Sequence, residues 1–583
     1  MARDRTTEEV ADTEADTDTD NGPPLRLFDD AEFAVPQSPT EDDPSSVKRL
    51  LDDRPYLVLG AVLLVLMISF TLKVRWGSGL DIWEHAAAAR ELGAHPLDPQ
   101  HPLFALDRPH QFLSPYHLTL GLISRVTGLS IVTVLSWAGV FNLGLFLVAL
   151  WLFVTRLLKR RETAFWALLF SVFLWGVGAW YFSGFVHFKV LPFVLSYPST
   201  FAKALALLGL WVHLKFLETE DPKPLLPVVL IGIVVLLAHP VDALFMWIGM
   251  AALSFGVARK RTTRNLIFSA GAALASFLVA FLWPYFSLFD LLFGPANESF
   301  RLAIAGADQD MYVDVLGRLW PALIVVPFFL RRLWLNWRDP LSLFLAGLLA
   351  AYLFGWRTEE WSYGRLISAV VVVGAILLAD ERTRAVDGAM AAGGAGRPTL
   401  RWVQLSTLAL LAVGVFNLRN GFIVLPQVVL DDVPYNWVHS DVDLARLADY
   451  SFLSGIPEDD VVMSDVYTSL ELPTFGPKAV AVARAEAFVD TAQPGADQSR
   501  FFTAGTTEDE RRAILDHYDV SWLLLRNERL TMEAEAYQPL LELGPVVHQN
   551  DRFTLLDVRG TMSGRSASSG RENRLTRKRQ PRH

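Results

Sequence analysis

Long apolar runs alternate with short Arg- and Lys-rich clusters along most of this chain, and a chain so patterned cannot close around one water-soluble core. Runs near 56–72, 131–155, 163–182, 199–216, 224–238, 241–257, 265–286, 314–330, 341–356, 365–379 and 402–418 give about eleven spans, each close to the ~20 residues that cross a bilayer. Basic clusters fall on alternate connections: Arg156/Lys159/Arg160/Arg161, Lys215/Lys223, Arg259/Lys260/Arg261/Arg264, Arg331/Arg332/Arg338 and Arg382/Arg384/Arg397/Arg401. Such residues stay on the cytoplasmic side during insertion, so these connections face inward. The first run is flanked by Lys48, Arg49 and Arg54, which predicts a signal-anchor with a cytoplasmic N-terminus and no cleavable signal peptide. The expectation is a polytopic α-helical protein of a plasma membrane.

The net charge of −10 hides two opposed ends. Residues 1–47 carry fourteen Asp or Glu against three Arg, and residues 561–583 carry seven Lys or Arg against one Glu. Neither stretch has apolar periodicity, so both are expected to be disordered. Residues 48–419 form the predicted membrane bundle. Residues 420–560 lose the long runs and read as a soluble exoplasmic α/β domain. Its predicted strands are Val461–Met463, Ala479–Val482, Val520–Leu525 and Phe553–Val558, with helices at Asp441–Ser451 and Asp509–His517. The absence of cysteine removes disulfides and thiolate chemistry. No glycine-rich phosphate loop suggests a nucleotide-driven pump, and nothing points to nucleic acid.

Polar chemistry concentrates in the first large outer loop, 73–116, and just beyond it. Asp81, Glu84, Asp98 and Asp107 lie there, with His85, His95, His101, His110 and His117 among the chain's 12 histidines. Asp81–Leu92 reads as an interfacial amphipathic helix between Gly79 and Gly93, which puts Asp81, Glu84 and His85 on one face. A second such helix is expected at Pro115–Val126. The Pro-rich segment between them is too irregular to meet lipid and should fold over the outer mouth of the bundle.

This arrangement resembles the GT-C superfamily of polyprenyl-phosphate-sugar-dependent membrane glycosyltransferases. The likeness rests on the signal-anchor, the first loop opening with Leu80-Asp81-Ile82-Trp83-Glu84-His85, the many spans and the outer C-terminal domain containing SDVYTSLELPTFGPKAV. Tyr363-Gly364-Arg365 at the outer start of a span is similar to the aromatic–arginine sites with which such enzymes hold a lipid phosphate. The chain lacks the adjacent Asp-Glu pair of the protein mannosyltransferases and the WWD-type block of the oligosaccharyltransferases, so neither sugar nor acceptor carries over. The resemblance implies inverting transfer of a sugar from a lipid-phosphate donor to a glycan, lipid or protein on the outer face.

An acceptor that attacks an anomeric carbon must lose a proton, and a carboxylate at the membrane boundary can take it. Asp81 is the candidate base, with Glu84 and His85 to orient it; the plain alternative is that Asp81 caps its helix while the other two face solvent. Asp81, Asp98 and Asp107 are a candidate set for a divalent cation, Mg or Mn. Arg365 is the candidate contact for the departing phosphate, against a simple outer-leaflet anchor. Tyr363, Lys203, His187, Lys189 and His117 could join the same substrate pocket. His239-Pro240 reads as a structural turn, and Arg357, Glu359 and Glu360 as mutual partners. A glycan polymerase or ligase shares this donor logic; a flippase-type transporter would place ionisable groups at mid-membrane, and a non-catalytic assembly protein would use the outer domain for binding.

Overall fold

The computed structural model describes residues 46–73, 80–257, 262–422, 447–482, 484 and 486–561. The charged tails and the first part of the helix expected at 441–451 lie almost wholly outside them. Among the described residues six helical stretches are long and apolar enough to cross a bilayer: Ile131–Leu158, Pro198–Thr219, Thr262–Ala280, Pro340–Thr358, Trp361–Ala391 and Gly393–Asn417. Three shorter apolar helices accompany them, at Arg54–Ile68, Leu225–Ala238 and Pro240–Gly256.

The helices that position the site are α1 (Arg54–Lys73), α2 (Leu80–Ala94), α3 (Pro115–Thr127), α4 (Ile131–Leu158), α5 (Arg161–Phe173), α6 (Pro198–Thr219), α7 (Leu225–Ala238), α8 (Pro240–Gly256) and α9 (Ile367–Ala391). Polar ties fasten them within an apolar core. Tyr56 of α1 donates to the Leu147 carbonyl of α4 at 2.6 Å, and Asn142 of α4 donates to the Leu195 carbonyl ahead of α6 at 2.8 Å. At the end of the bundle away from the first loop, the basic clusters meet carboxylates. Arg156 and Lys159 share Glu218, and Arg332 joins Asp380, Glu381 and Asp339.

Two of the expected spans are interrupted, and each break explains the other. The run at 163–182 is helical only to Phe173, and the run at 314–330 divides into Val315–Leu319, Ala322–Ile324 and Val325–Leu335. Pro321 cannot donate to the preceding turn. One residue beyond the Gly317 carbonyl that Pro321 leaves without its helical donor, the Arg318 carbonyl accepts from the Gly176 N–H at 2.8 Å. A side chain at Gly176 would lie 2.1 Å from the Gly317 carbonyl, so the two broken segments need that glycine to touch.

The first loop is more deeply embedded than an interfacial helix. Residues 82–89 of α2 are buried on every face, and the run Ala86–Ala89 lets neighbouring backbones come close. α2 crosses α3 where Gly93 meets Gly121; a Cβ on Gly121 would stand 2.2 Å from the Ala89 carbonyl. The lid over α2 is the C-terminal domain.

That domain is a five-stranded sheet, β1 (Val461–Met463), β2 (Lys478–Ala479), β3 (Val520–Arg526), β4 (Val546–Gln549) and β5 (Phe553–Asp557), in the order β2-β1-β3-β5-β4. β1 runs parallel to β2 and β3, while β5 is antiparallel to β3 and β4. The expected strands are present, although β2 covers only the start of 479–482, and the mostly exposed β4 is an addition. The expected helix at 509–517 is Glu508–His517, started by a Thr507/Glu510 capping box. The sheet docks on the first loop through its β2 edge: Ala479 N–H donates to the Leu103 carbonyl at 2.8 Å, and Lys478 Nζ meets Glu91 Oε2 at 2.9 Å. Arg90 of α2 in turn donates to the Pro473 and Gly476 carbonyls.

Candidate functional site

Where the domain, α2 and the start of α6 converge, four charged or phenolic side chains come together. Asp81 sits in the first turn of α2, 34% exposed, where the helix N-terminus favours a negative charge. Its Oδ1 accepts from the Tyr197 hydroxyl at 2.6 Å, and its Oδ2 lies 3.5 Å from Arg484 Nη1. The same Arg484 nitrogen is 3.3 Å from Glu84 Oε2. Glu84 is fully buried, contrary to a solvated helix face. Burial pushes its carboxyl well above the usual range; Arg484 opposes that shift, and nearby Glu486 and Asp81 add to it. Burial works against the Arg484 charge, but Glu84, Asp81 and Glu486 outweigh it and hold that guanidinium above its ordinary pKa. Burial, then Asp81, raises the Tyr197 phenol, which stays a hydrogen-bond donor at neutral pH.

A histidine chain backs this cluster. His85 Nδ1 lies 2.9 Å from His117 Nε2, and His117 Nδ1 lies 2.8 Å from Ser114 Oγ, with His85 stacked on Phe112. Burial holds both rings well below the usual histidine range, with Arg484 a further cause at His85 and His85 at His117. Both are neutral at pH 7.

A second polar locus lies along the same helix. Lys203, on α6, donates to Asp242 of α8 at 2.9 Å and to Ser368 of α9 at 3.1 Å. His239 Nδ1 is 2.8 Å from the other Asp242 oxygen, so the His-Pro turn holds an acid as well as a bend. Ser368 donates to the Arg365 carbonyl, and the Arg365 guanidinium grips Asp308 at 2.9–3.0 Å with Ser183 beyond at 3.5 Å. Tyr197 and Lys203 thus place the two loci roughly 9 Å apart along α6.

The structure brings Asp81, Glu84, His85 and His117 together, and separately links Lys203 with Arg365. The remaining sequence candidates stand elsewhere. Tyr363 packs its ring on Phe354. His187 lies 2.8 Å from the Trp180 carbonyl, its pKa lowered by burial to about 3, and Lys189 lies over the Tyr181 ring. Asp98 and Asp107 are exposed, and among the described residues they form no ligand group with Asp81. Glu360 pairs with Arg301 rather than Arg357. Sequence reasoning missed Tyr197, Asp242, Asp308, Arg484 and Glu486. For the last two a signal existed: the only charges in VAVARAEAFV alternate with alanine, a pattern of buried charge rather than of a solvated surface.

Neither a family model nor a curated protein sequence matches the chain. Solved structures do match. ArnT from Cupriavidus metallidurans, bound to undecaprenyl phosphate, aligns over 88% of this chain and 100% of its own at TM-score 0.50 and 11% identity. The Archaeoglobus fulgidus oligosaccharyltransferase in complex with zinc and sulfate aligns over 82% of this chain and 68% of its own, at TM-score 0.53 and 14% identity. The same enzyme, AglB, with an inhibitory peptide and a dolichol-phosphate, covers 86% and 74% at TM-score 0.50 and 11% identity. The fold is the one shared by ArnT and the archaeal oligosaccharyltransferase.

The archaeal oligosaccharyltransferase holds zinc in one of these structures. Among the described residues one group has metal-ligand spacing: His101, His110 and Glu486, all buried, with ligand atoms within 4.8 Å of one another. Its elements are those of a zinc site, but its hydrogen bonds are not. His101 Nδ1 accepts from the Leu103 and Phe104 N–H groups, and His110 Nδ1 accepts from the Phe112 N–H, each at 3.2 Å. With Nδ1 accepting, the proton of each ring falls on Nε2, whereas a metal-bound imidazole needs a bare nitrogen inward and a proton outward. The group is built to surround a carboxylate: His110 Nε2 and Gln111 Nε2 both lie 2.9 Å from Glu486 Oε2. With those protons in place the rings offer no lone pair inward; without them, His101 Nε2, His110 Nε2 and Glu486 Oε1, none of which makes a hydrogen bond of good geometry, have the spacing to hold a metal ion.

Proposed function

We propose that this chain is an integral membrane glycosyltransferase that moves a sugar from a polyprenyl-phosphate donor to an acceptor at the outer face, with its N-terminus cytoplasmic and its C-terminal domain exoplasmic. The observation that carries the reading is the placing of a partly exposed carboxylate, Asp81, with the buried cation Lys203 and the half-buried cation Arg365, on either side of the α6 N-terminus. The fold adds weight, because its solved examples hold undecaprenyl phosphate or dolichol-phosphate.

In this reading the acceptor nucleophile enters beside Asp81, which takes its proton as the new bond to the anomeric carbon forms. Tyr197 orients the carboxylate through its 2.6 Å hydrogen bond. The bond from the anomeric carbon to the phosphate oxygen breaks, its electron pair leaves with the lipid phosphate, and Lys203 and Arg365 balance the growing charge. Attack and departure on opposite faces of the sugar invert the anomeric centre. Polymerase and ligase variants of the function differ only in the acceptor.

The test is transfer from radiolabelled undecaprenyl-phosphate sugars by purified protein in lipid, comparing wild type with Asp81→Asn and Arg365→Ala at equal folding. Asp81→Asn is expected to lose ~10²–10⁴-fold in rate. Turnover indifferent to Asp81 would sink the base assignment, and wild-type silence with every donor and acceptor would sink the transferase reading.

A further inference from the structure

We propose that Arg484 is a positioning residue of the transfer site, delivered by the C-terminal domain to fix the Asp81 carboxylate, and that Glu486 sets where Arg484 stands. This rests on Asp81 acting as the base. Three carboxylates, Asp81, Glu84 and Glu486, surround this one guanidinium, and the Arg484 Nη1 atom bridges the first two at 3.5 and 3.3 Å. Without it, Asp81 and the buried Glu84 would face each other across one helical turn with no charge between them.

Two residues along the chain, Glu486 is fixed from the first loop by His110 and Gln111, both at 2.9 Å. The segment is thus pinned at one residue to the loop and at another to α2. The Ala479–Leu103 and Lys478–Glu91 contacts hold the strand that leads into it. Fixing both ends explains how a domain far along the chain places a cation on the proposed base, which among the described residues pairs with no other arginine. The Tyr197 hydroxyl and the Arg484 guanidinium engage different oxygens of Asp81, which orients the carboxylate plane as a single contact cannot. Once Asp81 has taken a proton, its hold on the guanidinium weakens, and Glu84 is the acceptor that keeps Arg484 in place.

The experiment uses the full chain in lipid with whichever undecaprenyl-phosphate sugar wild type transfers, and compares Arg484→Ala, Arg484→Lys, Glu486→Gln and Asp81→Asn. Arg484→Ala is expected to lower kcat by ~10²-fold with the donor KM unchanged. Guanidinium ion, far below unfolding concentrations, should restore part of that rate, which it would not do for a merely structural defect. Arg484→Lys should fall between, because an ammonium is a point charge that cannot span both carboxylates. Glu486→Gln keeps the arginine and should lower kcat without moving donor KM, which keeps the test available if Arg484→Ala does not fold. Activity of Arg484→Ala and Glu486→Gln within threefold of wild type, while Asp81→Asn is dead, would overturn the role of Arg484 and leave the base standing. Wild type and Asp81→Asn equally active, or both silent, would instead overturn the base reading and this inference with it.

Discussion

The Lys478–Glu91 pair is the strongest single tie between the C-terminal domain and the first loop, and its removal has a calculable cost. Both side chains are almost completely buried, 3% and 2% exposed, so solvent screening does not discount the pair. Lys478→Met leaves Glu91 Oε2 and the His101 carbonyl without the ammonium that each now meets at 2.9 Å. Breaking a buried pair from one side costs ~3–5 kcal/mol. Glu91 keeps the Gln100 N–H at 2.9 Å and His95 at 3.1 Å on its other oxygen, which places the expected value at the low end, about 3 kcal/mol. Glu91→Gln strands the lysine in the same way, but the double variant strands neither charge and should cost at least ~2 kcal/mol less than the two singles together. Native-state hydrogen exchange on peptides covering Lys478–Val482 reads this as domain opening, with about 150-fold faster exchange in each single variant. Acceleration below about fivefold, or strict additivity in the double variant, would refute the claim that this pair holds the domain down.

Three further outcomes follow from the same geometry. Gly121→Ala drives a methyl into the Ala89 backbone and should destabilise the α2–α3 crossing by ~1–3 kcal/mol, read as a lowered unfolding temperature; an unchanged temperature would contradict the close approach. Burial raises the Glu91 pKa, but Lys478, the Gln100 N–H and Arg90 together carry it below the usual glutamate range, so its stabilisation is complete above that range and fades as pH falls through the lower folded value. Domain opening measured by exchange should therefore rise only in that acid window, and a rise centred at neutral pH would point to another group. Elemental analysis of protein purified without chelator should find no stoichiometric zinc, and EDTA should leave the unfolding temperature unchanged; one zinc per chain would overturn the protonation assigned to His101 and His110.

What could be read from the sequence follows the range of the interactions concerned. The spans, the strands Val461–Met463 and Phe553–Asp557, and Asp81 at the head of a helix depend on periodicity or on neighbours a few residues apart, and those were legible. The breaks after Phe173 and at Pro321 were not, because hydropathy stays high through both and only the Gly176–Gly317 contact makes them mutual. The environment of α2 was misread for a related reason. Four alanines are neutral in an amphipathicity count, yet they are what allows helix, loop and sheet to close around Glu84 and His85. Arg484 and Tyr197 reach Asp81 from distant parts of the chain, and no local pattern in one sequence reports such a meeting.

The two loci of the site share one rigid scale. Tyr197 at the head of α6 and Lys203 more than one and a half turns along it fix the separation of the proposed base and the proposed phosphate contacts by the rise of a helix, not by the looser docking of one helix on another. A single-residue insertion between them would lengthen that gap by about 1.5 Å and swing Lys203 by about 100°, away from Asp242 altogether. The span that a sugar would bridge in the proposed transfer is thereby written into seven consecutive residues, Tyr197 to Lys203, and grafting that stretch should carry the spacing with it.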